Sequence, residues 1–309
     1  MTLRDTGADT VRAIGVVCLS FFVVTLSDVA TKWALPVIGV AGIMLGRGLP
    51  GCLTVAAFAM LRADTAAAGR RRLRPVRWRL SLMRALVQSL TSVAWFVVWQ
   101  TMALADSYAI GFTTPLLMTL LAIPMLGERF RWRRATATLV GFGGVLIMLR
   151  PGSGLWSPAV PLLLVGIFGQ SLGRILTRKL STTETPESLA LFPLVLHLPI
   201  GVALLPFLPI HGFTWGALAA ILFVGVFNSA GQMLNARAYG LAPVAALAPY
   251  EYSPLLWGGV LGYLVFHEVP HASALVGAAV VAAAGLYNLH REQVRRRDEA
   301  ATKEMAWTS

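Results

Sequence analysis

Apolar stretches long enough to cross a bilayer, separated by short polar segments, constrain this chain more than any other feature of its sequence. A helix that crosses the hydrocarbon core needs about 20 apolar residues. Windows of that kind predict ten spans, at residues 13–33, 38–61, 80–102, 107–126, 133–150, 157–178, 187–208, 213–236, 242–266 and 271–290. Only 13% of the 309 residues are charged, against about 25% in an average soluble domain. The sequence therefore predicts an all-α integral membrane protein.

The basic residues lie almost entirely in one of the two sets of predicted loops. If the N-terminus is cytoplasmic, 21 lysines and arginines lie on the cytoplasmic side and Arg150 alone lies on the other. Because cytoplasmic loops carry an excess of Lys and Arg, this asymmetry predicts a multi-pass protein of the bacterial inner membrane with both termini in the cytoplasm. The net charge of +12 is then explained by topology, and no nucleic-acid partner is expected.

The two halves of the chain resemble each other. TPLLMTLLAIPMLGE, which ends at Glu128, is similar to SPLLWGGVLGYLVFHE, which ends at Glu268, an offset of about 140 residues. At that offset, one helical face of span 3 matches one face of span 8, at Gln88, Ser92, Trp95 and Trp99 and at Asn228, Gln232, Asn235 and Tyr239. The pattern predicts two five-helix repeats, 13–150 and 157–290, followed by a charged cytoplasmic tail, 291–309. Because five is odd, the second repeat is inverted in the membrane.

Several ionisable residues fall within the predicted spans, where each needs a partner, water or a ligand. Asp28 and Lys32 are four residues apart on one face of span 1, so they form either an intrahelical ion pair or part of a gate. Arg84 and Arg174 lie about one turn from the cytoplasmic end and are expected to extend to the interface, with gating as the alternative for Arg174. His197 is expected to form one hydrogen bond to a neighbouring helix.

Arg47 and Glu251 lie deepest in the predicted spans. Each is about nine residues from a span end, which places it roughly 13 Å deep at 1.5 Å per residue, close to the membrane midplane. They either pair with each other or line a wet cavity and meet a polar substrate. Pro249 and Pro254 flank Glu251, and Pro115 occupies nearly the equivalent position in span 4. Prolines break helices, and broken helices at matching positions predict a binding site with hinges for gating.

The remaining candidate residues are hydrogen-bonding and aromatic side chains that could surround a substrate. The predicted substrate-binding set, besides Arg47 and Glu251, is Gln88, Trp95, Trp99, Asn228, Gln232, Asn235, Tyr250 and Tyr252. Aromatic residues at membrane interfaces are the alternative explanation for the tryptophans and tyrosines.

The glycines and cysteines within the predicted spans are expected to have structural roles. Glycines in spans 5 and 10, Gly141, Gly144, Gly277 and Gly285, predict close helix packing within the chain or in a homodimer. Cys18 and Cys52 are expected to be buried thiols, and no metal site or cofactor is predicted.

With these residues identified, the chain resembles the EamA-type branch of the drug/metabolite transporter superfamily, especially the subgroup with S-adenosylmethionine and riboflavin uptake transporters. The resemblance is carried by SDVATK at 27–32, the Arg47 region, LGERFRWRRATATLVGFGGVLIMLRPG at 126–152 and LAPYEYSPLLWGGVLGYLVFHEVP at 247–270. It implies a ten-helix inverted-repeat carrier with a central cavity and gating by helices 4 and 9. Glu251 stands where the S-adenosylmethionine transporters have a basic residue between two aromatics.

The expected function is secondary transport of a small polar metabolite of the amino-acid, amine or nucleoside-like class by alternating access. Glu251 would bind a cationic group or carry a coupling proton, and Arg47 would bind a carboxylate or act as counter-ion. Membrane lipid is the expected surrounding. The alternative is an intramembrane enzyme acting on a lipid-linked substrate, for which His267, Glu268 and His271 form a local cluster of acid and histidine side chains.

Overall fold

The computed structural model contains α-helices and connecting turns and no β-strand among the residues that it describes, which are 7–111, 113–126, 132–149, 159–241, 250, 253–269, 271–273, 275–284, 286–287, 290 and 294. The helices are α1 Gly7–Leu61, α2 Ala66–Leu73, α3 Trp78–Trp99, α4 Leu104–Gly111, α5 Thr114–Leu126, α6 Trp132–Leu149, α7 Ala159–Leu180, α8 Pro186–Leu204, α9 Trp215–Leu241 and α10 Ser253–Phe266. A further short apolar helix covers Leu275–Ala284.

Five of the described helices are long and apolar enough to cross a membrane: Val11–Leu61, Trp78–Trp99, Ala159–Thr177, Pro186–Leu204 and Trp215–Ala238. The first of them has 51 residues and covers two predicted spans. The described parts of the four remaining predicted spans, 107–126, 133–150, 242–266 and 271–290, form helices that are shorter or more polar. The prediction of an all-α membrane protein is therefore confirmed, whereas the ten-span inverted repeat stays a prediction.

The long helix α1 consists of two arms that meet at Gly39. This residue has φ 68° and ψ 173°, a conformation that glycine adopts much more readily than other residues. A Cβ atom here would also collide with the carbonyl oxygen of Pro209. Close by, the Gly212 N–H donates to the Val37 carbonyl at 2.8 Å. We call residues 7–38 the first arm and residues 40–61 the second arm.

Contacts with α9 show that the two arms run in opposite directions. The first arm pairs Trp33 with Gly216, Ser27 with Val224 and Val24 with Gly231. The second arm pairs Gly46 with Ile221, Pro50 with Gly225 and Gly51 with Ser229. As the residue number increases along the first arm, the residue number of its contact on α9 decreases, whereas along the second arm it increases. Helix α9 is therefore antiparallel to the first arm and parallel to the second. Small residues at these contacts allow the backbones to approach closely.

Glycines also bring other helices together. Gly166, Gly169 and Gly173 of α7 face Ala94, Thr91 and Gln88 of α3. A Cβ on Gly144 of α6 would lie 2.9 Å from the Gly277 carbonyl oxygen, which confirms close packing within the chain at that glycine. Whether such faces also form a homodimer stays a prediction.

At one end of the bundle, which we call the Arg72 end, acidic side chains link neighbouring segments. Arg72 pairs with Glu187 at 3.2 Å. Both oxygens of the Glu184 carboxylate accept backbone hydrogen bonds, from Val76 at 2.9 Å and from Arg77 at 2.7 Å. The segment between α2 and α3 is thereby attached to the connection between α7 and α8.

Candidate functional site

A cavity of about 380 Å³, part of it open to solvent, lies between the second arm of α1 and helices α3, α8 and α9. Its lining residues are Arg47, Arg84, Gln88, Ser92, Leu189, Ala190, Pro193, Leu194, His197, Asn228, Ser229 and Gln232. Four of the ten predicted substrate-binding residues line it together, namely Arg47, Gln88, Asn228 and Gln232.

Helical spacing explains why α3 and α9 present polar groups to this space. Arg84, Gln88 and Ser92 recur every four residues, which places them on one face of α3. Asn228 and Gln232 have the same spacing on α9. The periodicity seen in the sequence thus corresponds to two helix faces that line one cavity.

Arg47 is buried, with 8% of its surface exposed. Its Nη2 donates to Oδ1 of Asn228, and its guanidinium carbon lies 5.6 Å from the centre of the Phe96 ring. Its Nε is buried and has no hydrogen-bond partner in the part of the chain that the structure describes. The neighbouring side chains therefore satisfy this cation only in part.

Arg84 is equally buried at 8% exposure, so the expectation that it extends to the interface is wrong. Nε donates to Oγ1 of Thr177 at 2.6 Å, and Nη1 donates to the Leu189 carbonyl at 2.7 Å. That carbonyl is available because Pro193, four residues later, has no N–H to donate to it. The Leu189 carbonyl, which has no helical donor, and the Thr177 hydroxyl thus hold Arg84 inside the bundle.

His197 is 1% exposed and lines the same cavity. Neither ring nitrogen has a hydrogen-bond partner among the described residues. The predicted hydrogen bond to a neighbouring helix is therefore wrong within this part of the chain. Buried polar atoms are nearly always hydrogen-bonded, so the ring nitrogens are available to water or a ligand.

At the end of the bundle opposite to the Arg72 end, which we call the Lys32 end, Lys32, Glu268 and Asp28 have partners, whereas Oδ1 of Asp106 is buried without a hydrogen-bond partner among the described residues. Lys32 Nζ contacts Oε1 of Glu268 at 2.5 Å and donates to the Met102 carbonyl at 3.0 Å. Oε2 of the same carboxylate accepts from the Leu104 N–H at 3.0 Å. Asp28 accepts a hydrogen bond from the Tyr108 hydroxyl at 2.7 Å. The predicted intrahelical pair between Asp28 and Lys32 is wrong, because each finds a closer partner on another segment.

Between the cavity and the Lys32 end lies a cluster of aromatic side chains. The rings of Trp95 and Trp99 have centroids 5.8 Å apart, and Tyr108 lies 6.3 Å from the first and 6.4 Å from the second. Trp99 Nε1 donates to the Ser107 hydroxyl at 3.0 Å. Both tryptophans are buried, and neither is among the lining residues of the cavity. Their predicted role in binding substrate stays a prediction.

Two of the three predicted hinge prolines lie near the first described residue of a helix. Pro115 is the second residue of α5, which begins after the turn at Thr113 in the predicted span 107–126. Pro254 is likewise the second residue of α10. Proline is favoured in a first turn, where its missing N–H has no helical acceptor. Pro249, Glu251 and Tyr252 lie outside the described residues.

Three further candidates are placed away from the cavity lining. Tyr250 packs against the cluster of Ala13, Val17, Phe21 and Ala238. Asn235 is half-buried on α9, and Arg174 is half-buried on α7. Arg84 and His197, by contrast, were missed as cavity residues. Pro193 is the sequence feature that could have identified Arg84, because it leaves the Leu189 carbonyl free to accept a hydrogen bond. That carbonyl reaches Arg84 only through contact between two helices.

The fold and site define a multi-pass helical membrane protein that encloses a polar cavity. The model of the EamA-like transporter family matches residues 11–150 and 157–288. The chain belongs to the EamA-like transporter family.

Curated relatives agree with that assignment. A riboflavin transporter of Rhizobium johnstonii is 31% identical over 72% of this chain and 74% of its own length. Another riboflavin transporter, from Brucella anthropi, is 26% identical over 86% and 94%. An S-adenosylmethionine uptake transporter of Rickettsia bellii is 24% identical over 73% and 77%. One crystal structure shares the fold, with a TM-score of 0.62 at 16% identity over 92% of this chain and 98% of its own.

These relatives and the family are transporters, so this protein is a transporter rather than an enzyme, and its substrate is a small molecule. The alternative of an intramembrane enzyme depended on the cluster around Glu268. In the structure that carboxylate binds Lys32 and the Leu104 N–H.

Proposed function

We propose that this protein is a secondary transporter that carries a small polar metabolite across the bacterial inner membrane by alternating access. The observation that carries the proposal is the cavity, in which buried hydrogen-bonding groups of Arg47 and His197 have no partner among the described residues. Unsatisfied polar groups inside a membrane protein are costly unless water or cargo reaches them.

Several observations support an inverted repeat around this cavity. The second arm of α1 and α3 come from the first predicted repeat, and α8 and α9 come from the second. Gln88 and Asn228, which are 140 residues apart, both line the cavity, as do Ser92 and Gln232. The family model also matches the chain twice, at 11–150 and 157–288. Carriers built from inverted repeats place the substrate site between the repeats near the midplane.

The two ends supply the gating part of the proposal. With the Arg72 end in the cytoplasm, as the loop charges predict, the Lys32 end faces outward. Lys32 and Glu268 then close the outer side, because they link α1 to the segment after α10. Opening would separate this pair, while the chain hinges at the N-terminal ends of α5 and α10, at Pro115 and Pro254. Asp28, bound to Tyr108 of α4, belongs to the same closure, and Arg174 stays a candidate for the opposite gate.

The nucleoside-like class fits best among the three substrate classes. Riboflavin and S-adenosylmethionine, after which the relatives are named, each join a flat heteroaromatic ring to a hydroxyl-bearing chain or sugar. Gln88, Ser92 and Asn228 offer donors and acceptors for hydroxyl groups. The aromatic cluster beside the cavity would stack on the ring once the pair at the Lys32 end opens. Glu251 would bind a cationic group or carry a coupling proton.

Counterflow in proteoliposomes tests the proposal. Vesicles are loaded with unlabelled riboflavin or S-adenosylmethionine, and the entry of the labelled compound is followed with and without a pH gradient. We expect exchange by the wild type and a loss of about tenfold or more for Arg47→Gln, since hydrogen bonds to charged groups contribute about 1.5–3 kcal/mol. Arg79→Gln, which changes an exposed arginine on α3, is the matched control.

Two outcomes would contradict the proposal. Exchange of neither compound would contradict the nucleoside-like assignment. Flux through Arg47→Gln equal to that of the wild type would remove the cavity from the transport route.

A further inference from the structure

The charged side chains that line the cavity are both arginines. Arg47 enters from the second arm of α1 and Arg84 enters from α3, and each is 8% exposed. The other lining residues of the described chain are neutral amides, hydroxyls, a histidine and apolar side chains. The described residues that line the cavity therefore include two positively charged side chains and no acidic side chain.

None of the described acidic side chains is among the lining residues of the cavity. The ion pairs among described residues join Lys32 to Glu268 and Arg72 to Glu187, and neither includes a cavity arginine. Asp28 attracts Arg47 electrostatically, yet it accepts the Tyr108 hydrogen bond and is not part of the cavity lining. Arg84 donates to two neutral oxygens, on Thr177 and Leu189. A cation away from water is stabilised most by a paired and hydrogen-bonded anion.

Free hydrogen-bonding positions are available for such an anion. Arg47 Nε is buried and unpaired, and so are both ring nitrogens of His197, again among the described residues. Arg84, whose Nε and Nη1 donate to neutral oxygens, lines the same cavity. Guanidinium groups bind carboxylate and phosphate oxygens through paired N–H donors.

We propose that the cavity binds its substrate through an anionic oxygen group, a phosphate ester or a carboxylate, placed between Arg47 and Arg84 with His197 donating a further hydrogen bond. This inference rests on the proposed transport function and narrows its substrate class to anions. The anion supplies the negative charge that the described cavity wall does not contain. It also contacts α1 and α3 on one side and α8 on the other, so binding joins the two predicted repeats.

Thermal shift of the full chain in nanodiscs of phosphatidylcholine tests the inference. The probes are inorganic phosphate and acetate, each against chloride at equal ionic strength, and flavin mononucleotide against riboflavin, which differ by one phosphate group. We expect phosphate or acetate to raise the Tm and flavin mononucleotide to bind about tenfold or more tightly than riboflavin, as charge-assisted hydrogen bonds imply.

Variants assign the effect to the cavity. Arg84→Gln and Arg47→Gln should each abolish the preference for the phosphorylated flavin, whereas Arg84→Lys should retain part of it. Arg79→Gln on the same helix should behave as the wild type. The readout is the difference in Tm with and without anion, which a purely structural arginine would not change. Arg84→Lys keeps the charge, so it tests the idea even if the glutamine variant does not fold.

The opposing results are distinct. If none of the anions stabilises the wild type, or if Arg84→Gln and Arg47→Gln keep the preference, the inference is overturned. If adding phosphatidylglycerol to the nanodiscs removes the anion effect, a lipid headgroup occupies the site, and the inference about substrate is overturned as well. Riboflavin counterflow without any preference for the phosphate ester would leave the transport function intact and overturn only the anionic class.

Discussion

The Lys32 end and the cavity both contain buried ionisable side chains, and the two regions differ in how many of these side chains have a hydrogen-bond partner. At the Lys32 end, Lys32 pairs with Glu268, and Asp28 accepts from Tyr108. In the cavity, Arg47 Nε and both nitrogens of His197 lack partners among the described residues. Paired groups link helices to one another, whereas unpaired groups in a cavity are the positions that water or cargo can satisfy. The comparison separates residues that stabilise the structure from residues that bind substrate.

The largest effect on stability is expected from breaking the pair at the Lys32 end. Glu268→Gln leaves Lys32, with 11% of its side chain exposed, without its carboxylate. We expect the free energy of unfolding to fall by about 2 kcal/mol, below the 3–5 kcal/mol of a fully buried pair. The Tm in nanodiscs measures this change. Lys32→Met combined with Glu268→Gln should recover most of it, and additive losses would show that the two residues do not interact.

A substitution in the cavity should change the stability in the opposite direction. His197→Leu replaces a buried ring that has two unpaired nitrogens with an apolar side chain, which removes an unsatisfied group. We expect stability to rise by about 1 kcal/mol while counterflow decreases. Tm and flux are measured on the same preparation. A clear fall in Tm would show that His197 has a structural partner, and the contrast between the regions would fail at this residue.

The smallest expected effect is a pH dependence at the Lys32 end. Burial raises the pKa of Asp106, and the Glu268 carboxylate adds to that rise, while His271 and Lys32 oppose it. A folded-state pKa above the unfolded value of about 3.9 means that the group's stabilising contribution is complete below that value. The contribution is then lost as the pH rises through the raised pKa. Asp106→Asn should therefore flatten this part of the Tm profile; an unchanged profile would contradict the assignment.

The features of the cavity that could be predicted from the sequence are those whose pattern lies within one helix. The four-residue spacing of Gln88 and Ser92, and of Asn228 and Gln232, predicted polar faces that do line one cavity. The depth of Arg47 in its span also marked it as a cavity residue. In each case hydrophobic length and helical periodicity were sufficient, because both are properties of neighbouring residues.

The contacts that could not be predicted are those in which a distant segment supplies the partner. Asp28 and Lys32 have the spacing of an ion pair, yet Glu268, 236 residues away, binds Lys32. Arg84 is near a span end, but the carbonyl of Leu189 on another helix retains it. The spacing of two residues on one helix predicts an ion pair only if no residue of another segment offers a closer partner. Which residues of other segments lie close by is determined by the tertiary structure.

The amino-acid order alone determined that this chain is a helical membrane protein with polar faces on specific helices and a strong charge asymmetry between its loops. Helix packing decided which buried charges are neutralised and which remain open to a ligand. The reason is one of range. Hydrophobicity and periodicity act over a few turns, whereas hydrogen bonds and ion pairs of buried groups depend on atoms a few ångströms apart in space that can be far apart along the chain.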